Sequence, residues 1–331
     1  WWMANKAKNA AKLLFLCGMC AILTIAQKRK KVGRYNNYAE VPVLVSGSCN
    51  EHRLLRAGSG RGYGRSNAVY RRKHHHRRGR SPDSRNADRA CWRGRGKKFP
   101  AVVMLHGNGS TRHEAGNAYD YAALAMAKAG IATIRFDYIG NGDSTSDYID
   151  FTYDKGVEDA MKCYEYLKTL GTIDMDHVGV MGWSQGGRLA LLTAARNEVF
   201  TSVLTWAGAY DQKGNEEEQY AIAKENGYYE VTYDWREPLK QSPAYYECAM
   251  SIDYPAEVAK IKVPLLAING KADTTVVPET AQKIVDAAVN SPDAEVLLLD
   301  GADHTFCVFS NDDTVLKTLV QDTIDWFKKT L

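Results

Sequence analysis

A serine between glycines, an aspartate and a histidine follow one another along this 331-residue chain, each just beyond an apolar run. The serine lies in Met181-Gly182-Trp183-Ser184-Gln185-Gly186-Gly187. His177 to Met181 reads as a buried strand, and Arg188 to Ala195 reads as a helix packed on a sheet, so Ser184 sits on the turn between them. A turn this tight strains the backbone of Ser184 and brings neighbouring chain close, which requires residues without side chains at Gly182 and Gly186. It also exposes Oγ at a helix N-terminus, where the dipole favours developing negative charge. The aspartate is Asp273, just past the run Val263 to Ile268, and the histidine is His304, which follows Glu295 to Leu299 through Gly301-Ala302-Asp303. A carboxylate that orients an imidazole, which in turn deprotonates a serine, is the arrangement for acyl transfer. Asp303 is a rival acid, but it adjoins His304 in sequence and is poorly placed to reach back to the imidazole. His113 is a rival base that precedes the nucleophile and does not follow a strand.

Other elements are needed to bring these three ends together. Pro100 to Leu105 reads as a strand running into His106-Gly107-Asn108-Gly109, and Ile131 to Asp137 as another that ends near Gly140-Asn141-Gly142. Ala118 to Ala129 and Lys155 to Leu170 read as amphipathic helices, the second with Val157, Ala160, Met161, Tyr164 and Leu167 on one face. Thr201 to Ala207 reads as a strand and Asp312 to Leu331 as a closing helix. Such alternation predicts an α/β fold with a doubly wound, mostly parallel sheet. The pattern breaks between Ala207 and Val263, where residues 211–254 hold seven Tyr and one Trp.

The chain order Ser184, Asp273, His304, together with the His-Gly loop, resembles the α/β-hydrolase superfamily. Within it, Phe99 to Leu331 resembles the small bacterial esterases of feruloyl (cinnamoyl) esterase-like or dienelactone hydrolase-like type. Serine at the elbow argues against a dienelactone hydrolase proper, which carries cysteine there. The resemblance implies an α/β-hydrolase fold with a small cap insertion at 211–254 and hydrolysis of carboxylic esters through an acyl-enzyme. It also implies an oxyanion hole made by the backbone N–H groups of Gln185 and Asn108. Most cap aromatics are expected to pack on one another, with one or two, Trp235 among them, lining an aromatic acyl pocket. Asp211 is expected to receive a phenolic hydroxyl, or equally to cap a helix. The form Gly-Trp-Ser-x-Gly-Gly is also similar to the prolyl-oligopeptidase family, so a peptidase or amidase is the alternative, although no propeller-length segment is present. A non-catalytic binding protein of the same fold is a third reading, for which loss of a triad member is expected. The partner implied is a small-molecule ester, with no cofactor and no metal.

Charge divides the chain. Residues 1–97 hold 23 of the 43 Lys and Arg but 4 of the 39 Asp and Glu, which leaves residues 98–331 acidic. The acidic part, dense in apolar strands, is long enough to bury a large core; the first 97 residues read as a basic, poorly ordered region. Within them, an apolar run after Lys12, ending near Ala26, has the length of a leader or anchor, which would give residues 12–26 a contact with membrane, and it reads equally as an accidental apolar run. Lys28-Arg29-Lys30-Lys31 behind it disfavours export, so the compartment stays open between cytoplasm and an exported or anchored form. Residues 51–97 carry thirteen Arg and the run His74-His75-His76. They read as a basic arm for nucleic acid, as a solvated tail, or as out-of-frame translation, and the last fits best, which leaves nucleic acid outside the expected partners. The seven Cys show no metal-ligand spacing and no disulfide framework.

Overall fold

Strand β5 (Phe99–Leu105) consists of seven apolar residues without alternation, and both of its faces are covered. The computed structural model describes residues 20–24, 26–28, 38–40 and 43–45, residues 98–211 and residues 213–331, without the side chains of the four N-terminal segments and of 213–215. Ala101, Val103 and Leu105 enter a core with helices α2 (Tyr153–Lys168) and α3 (Gln185–Arg196), as the period of two along a strand demands. Val102 and Met104 face the opposite core, which is closed by α1 (Ala118–Ala129) and α8 (Thr314–Thr330). Helices on both faces make the sheet doubly wound.

Around β5 lie β6 (Ala132–Asp137), β7 (Ile173–Trp183), β8 (Ser202–Trp206), β11 (Leu265–Gly270) and β12 (Ala294–Leu299). The order β12-β11-β8-β7-β5-β6 is parallel throughout. Ser184, Asp273 and His304 follow β7, β11 and β12, and Asn108 follows β5, so all four stand beyond carboxyl ends of parallel strands. The strand read from His177 begins earlier, at Ile173. Its register with β5 shifts between Phe99 and Ala101, so the added residues pair irregularly.

Past β6 the sheet continues with β1 (Cys20–Thr24) and β4 (Val43–Val45), both antiparallel, while β2 (Ala26–Lys28) and β3 (Tyr38–Glu40) form a separate pair. The run read as a leader or anchor therefore places Cys20 to Thr24 inside a sheet, opposite Asp137 to Thr133. Among the described residues, no helix is long and apolar enough to cross a membrane. The arm or out-of-frame segment at 51–97, including its histidines, lies outside the described residues.

The insertion runs from β8 to β11. It holds α4 (Lys213–Asn226), the hairpin β9 (Tyr229–Tyr233) and β10 (Arg236–Gln241), α5 (Pro243–Ser251) and α6 (Tyr254–Val258). Helix α7 (Glu279–Ala287) then leads from β11 to β12.

Candidate active site

The turn after β7 has the conformation that its glycines anticipate. Ser184 lies at φ 54 and ψ −118, a region that costs about 1–3 kcal/mol for a residue with a side chain. A Cβ at Gly182 would lie 1.9 Å from the Gly186 carbonyl oxygen, and one at Gly186 would lie 2.0 Å from that of Leu105. The strained serine is held from the next strand, because its N–H donates to the Trp206 carbonyl at 2.9 Å.

His304 Nε2 lies 3.1 Å from Ser184 Oγ, and its Nδ1 lies 2.8 Å from Asp273 Oδ2. The Asp273 side chain is fully buried, and its other oxygen accepts from the N–H groups of Thr275 and Val276 at 2.8 and 2.9 Å. Those two donors fix the carboxylate so that Oδ2 faces the imidazole. An Nδ1–H given to Asp273 leaves Nε2 as the acceptor for the serine proton. The loop carrying His304 is anchored from the core: Trp183 Nε1 donates to the His304 carbonyl at 3.0 Å, and buried Phe306 packs on Trp183 and Trp206. Both rivals point elsewhere. Asp303 is exposed and caps its own turn by accepting from Thr305 and Cys307 N–H groups, while His113 pairs with Asp120 at 2.7 Å.

The loop after β5 is tied down by the histidine of its own His-Gly motif and by a glutamate further along the chain. Buried His106 donates through Nδ1 to the Gly107 carbonyl at 2.8 Å and accepts at Nε2 from Tyr138 N–H at 3.2 Å, which requires a neutral ring. Burial lowers its pKa to about 4, in agreement with that hydrogen-bond pattern. Glu114, at φ 61, accepts from Gly107 N–H, from Ser110 Oγ at 2.7 Å and from Ala115 N–H at 3.0 Å. Burial pushes the Glu114 carboxyl upward against the pull of those donors. The carboxyl stands beside the nucleophile: a Cβ at Gly107 would be 3.2 Å from Glu114 Oε1 and 3.5 Å from Ser184 Cβ. Sequence reading missed Glu114, and a lone glutamate in a polar loop offers no signal by which to find it.

Asn108 and Gln185 converge through their side chains. Tyr148 donates to Asn108 Oδ1 at 2.9 Å, and Gln185 Nε2 donates to Tyr245 at 3.3 Å. Tyr245 meets Tyr153 at 3.1 Å, and Arg188 Nη1 donates to both Tyr153 and Glu216 at 2.8 Å. The result is a buried chain from the helix after the serine to helix α4 of the insertion. Gln185 opens α3, so its N–H is one of those that a helix leaves without an internal partner. Of the residues expected around an acyl pocket, Trp235 is 62% exposed and tilts against Tyr233 at 5.0 Å, and Asp211 is also exposed. The aromatic side chains around Gln185 are Tyr148 and Tyr245, both buried. Among the described residues, no cluster of side chains could hold a metal ion.

The prolyl oligopeptidase family model matches residues 117–331. Over 116 residues the chain is 33% identical to 2,6-dihydropseudooxynicotine hydrolase of Paenarthrobacter nicotinovorans, a match covering 34% of this chain and 29% of that protein. The chain thus spans less than a third of that relative. Among solved structures, Est1E of Butyrivibrio proteoclasticus with ferulic acid bound superposes with TM-score 0.58 at 20% identity, over 72% of this chain and 92% of that one. The monoacylglycerol lipase of Paleococcus ferrophilus superposes with TM-score 0.57 at 17% identity, over 70% and 96%. At these identities the structures speak for the fold.

Proposed function

This chain belongs to the prolyl oligopeptidase family and is a hydrolase of the α/β superfamily; from that premise, we propose that it cleaves carboxylic esters through an acyl-enzyme. The observation that carries the reading is the hydrogen-bonded series Ser184–His304–Asp273 at 3.1 and 2.8 Å. Ser184 Oγ attacks the ester carbonyl as His304 Nε2 takes its proton, and Asp273 stabilises the imidazolium that forms. The N–H groups of Gln185 and Asn108 hold the tetrahedral oxyanion, each worth about 3 kcal/mol. His304 then protonates the departing alkoxide, and a water activated by the same imidazole releases the acid and restores Ser184.

Within esters, aromatic acyl groups are the finer reading. Two observations support it: the ferulic acid bound by the structural neighbour Est1E, and the hairpin ring of Tyr233, which comes within 3.1 Å of a Cβ placed on Gly109 beside Asn108. An edge or face contact of that kind contributes about 1 kcal/mol. The test sets the full chain, with Ser184→Ala as its control, against p-nitrophenyl butyrate, methyl ferulate and aminoacyl amides. Turnover of both esters, lost in the variant, is expected. Amide cleavage with negligible ester turnover would instead select the peptidase reading, and ester turnover retained by Ser184→Ala would overturn the nucleophile.

A further inference from the structure

Five arginines fall within residues 98–331, and four of them face carboxylates. Arg112 pairs with Asp137 and Asp143, Arg135 with Asp120, Arg188 with Glu216, and Arg196 with Asp154 and Glu257. Arg236, at the start of β10, differs. Its Nη1 donates to the Gly109 carbonyl at 2.6 Å and to Asn141 Oδ1 at 2.8 Å, and its Nε donates to the Glu237 carbonyl at 3.0 Å. All three acceptors are neutral. Among the described residues no carboxylate lies within 4.0 Å of this guanidinium, and Nη2 has no partner. The side chain is half-buried, and that desolvation lowers its affinity for its proton. A partly desolvated charge with no counter-charge is costly unless a ligand supplies one.

The surroundings favour an anion. Arg236 and Lys240 line a cavity of about 500 Å³ with Thr145, Ser146 and Tyr148, and Asp147 is the acid in that lining. The Asp147 carboxylate already accepts from Ile149 N–H at 3.2 Å, and the Lys240 ammonium rests 4.3 Å over the Tyr228 ring. Two cations against one acid stand out in a part of the chain that holds 20 Lys and Arg against 35 Asp and Glu. The cavity also adjoins the candidate site, because Tyr148 in its wall donates to Asn108, and Gly109, which Arg236 grips, is the next residue.

We propose that Arg236 is the subsite for a carboxylate carried by the substrate, which makes the preferred substrate an ester with a free acid at one end. This inference rests on the ester reading above and names its substrate class. Covalent geometry from the Gly109 carbonyl back to the Asn108 N–H bounds the separation of guanidinium and oxyanion donor at about 11 Å. A carboxylate four to six bonds from the scissile carbonyl spans such a gap.

The test compares charged and neutral esters of matched length with the full chain. The acyl series is the p-nitrophenyl half-ester of adipate against p-nitrophenyl hexanoate; the alcohol series is 4-acetoxybutanoate against 4-acetoxybutanamide. The charged member of at least one series should have the higher kcat/KM by about tenfold, the worth of one charge-assisted hydrogen bond. Arg236→Met should bring that ratio to near one, and Arg236→Lys should restore part of it. A ratio near one in both series for the unmodified chain, or a preference that Arg236→Met leaves intact, overturns the proposal. Should Arg236→Met disturb folding, the unmodified chain still decides, since adipate should inhibit competitively where adipamide does not. If no ester is cleaved, the ester reading fails separately, and calorimetric titration of adipate still tests the subsite: binding lost in Arg236→Met supports it, and no binding overturns it. Inorganic phosphate bound as well as adipate would also overturn it, as a general anion site.

Discussion

The sheet and the insertion hold their parts of the site in different ways. At the strand ends the backbone dictates residue type: the approach of Gly186 O to Gly182 and of Leu105 O to Gly186 leaves no room for a Cβ, and Asp273 is aimed by two N–H groups of its own loop. In the insertion, position depends on side chains meeting side chains, from Gln185 through Tyr245, Tyr153 and Arg188 to Glu216. The first kind of constraint leaves a local mark in sequence. The second leaves none, because each member of the chain is many residues from its partner and several residue types could serve at each place.

The sharpest break in this comparison is between two aspartates. Asp273→Asn should lower kcat by about 10⁴ through the wrong imidazole tautomer. Asp303→Asn, which removes only an exposed turn cap, should change kcat by a few-fold at most. Steady-state kinetics on both variants checks this, and the reverse order would give the acid role to Asp303.

The insertion should respond in stability more than in chemistry. Glu216→Ala removes the carboxylate paired with the buried Arg188 guanidinium, which rests over Tyr153 and Tyr254, at a cost of about 3–5 kcal/mol. Combining Arg188→Met with Glu216→Leu should recover most of that loss in chemical denaturation. Failure to recover would mean that the pair is worth more than its apolar replacement.

What was legible follows the same division. The six parallel strands, the helices Ala118–Ala129 and Thr314–Thr330, and the order of Ser184, Asp273 and His304 could be read because apolar runs and glycines record local backbone demands. The antiparallel β1 lies inside the run 12–26, which was read as a leader or anchor or as an accidental apolar run, since a short strand such as Cys20–Thr24 looks the same within a longer apolar segment. Glu114 and Tyr148 went unread because their partners, Gly107 and Asn108, are supplied by folding and not by neighbouring sequence. Trp235, expected at an acyl pocket as part of an aromatic cap insertion, lies exposed at the tip of the hairpin between β9 and β10.

A smaller effect belongs to the loop between these two regimes. His106 is buried neutral, its pKa lowered from 6.5 to about 4 by desolvation, so between those values the unfolded chain binds the extra proton. Its contribution to stability is therefore complete above pH 6.5 and is lost as pH falls through that window, by about 3 kcal/mol near pH 4. Urea unfolding at several pH values should show this acid limb, and His106→Gln should flatten it. An unchanged limb would assign the pH dependence to another group.

The claim that Ser184 forms a covalent acyl intermediate is tested most directly by trapping. The full chain is treated with a p-nitrophenyl phosphonate, which delivers a stable tetrahedral phosphonyl group to an activated serine, then digested and analysed by mass spectrometry. One phosphonyl group on the peptide containing Ser184, and none after His304→Ala, is the predicted result. No adduct, or one on a different residue, would contradict it.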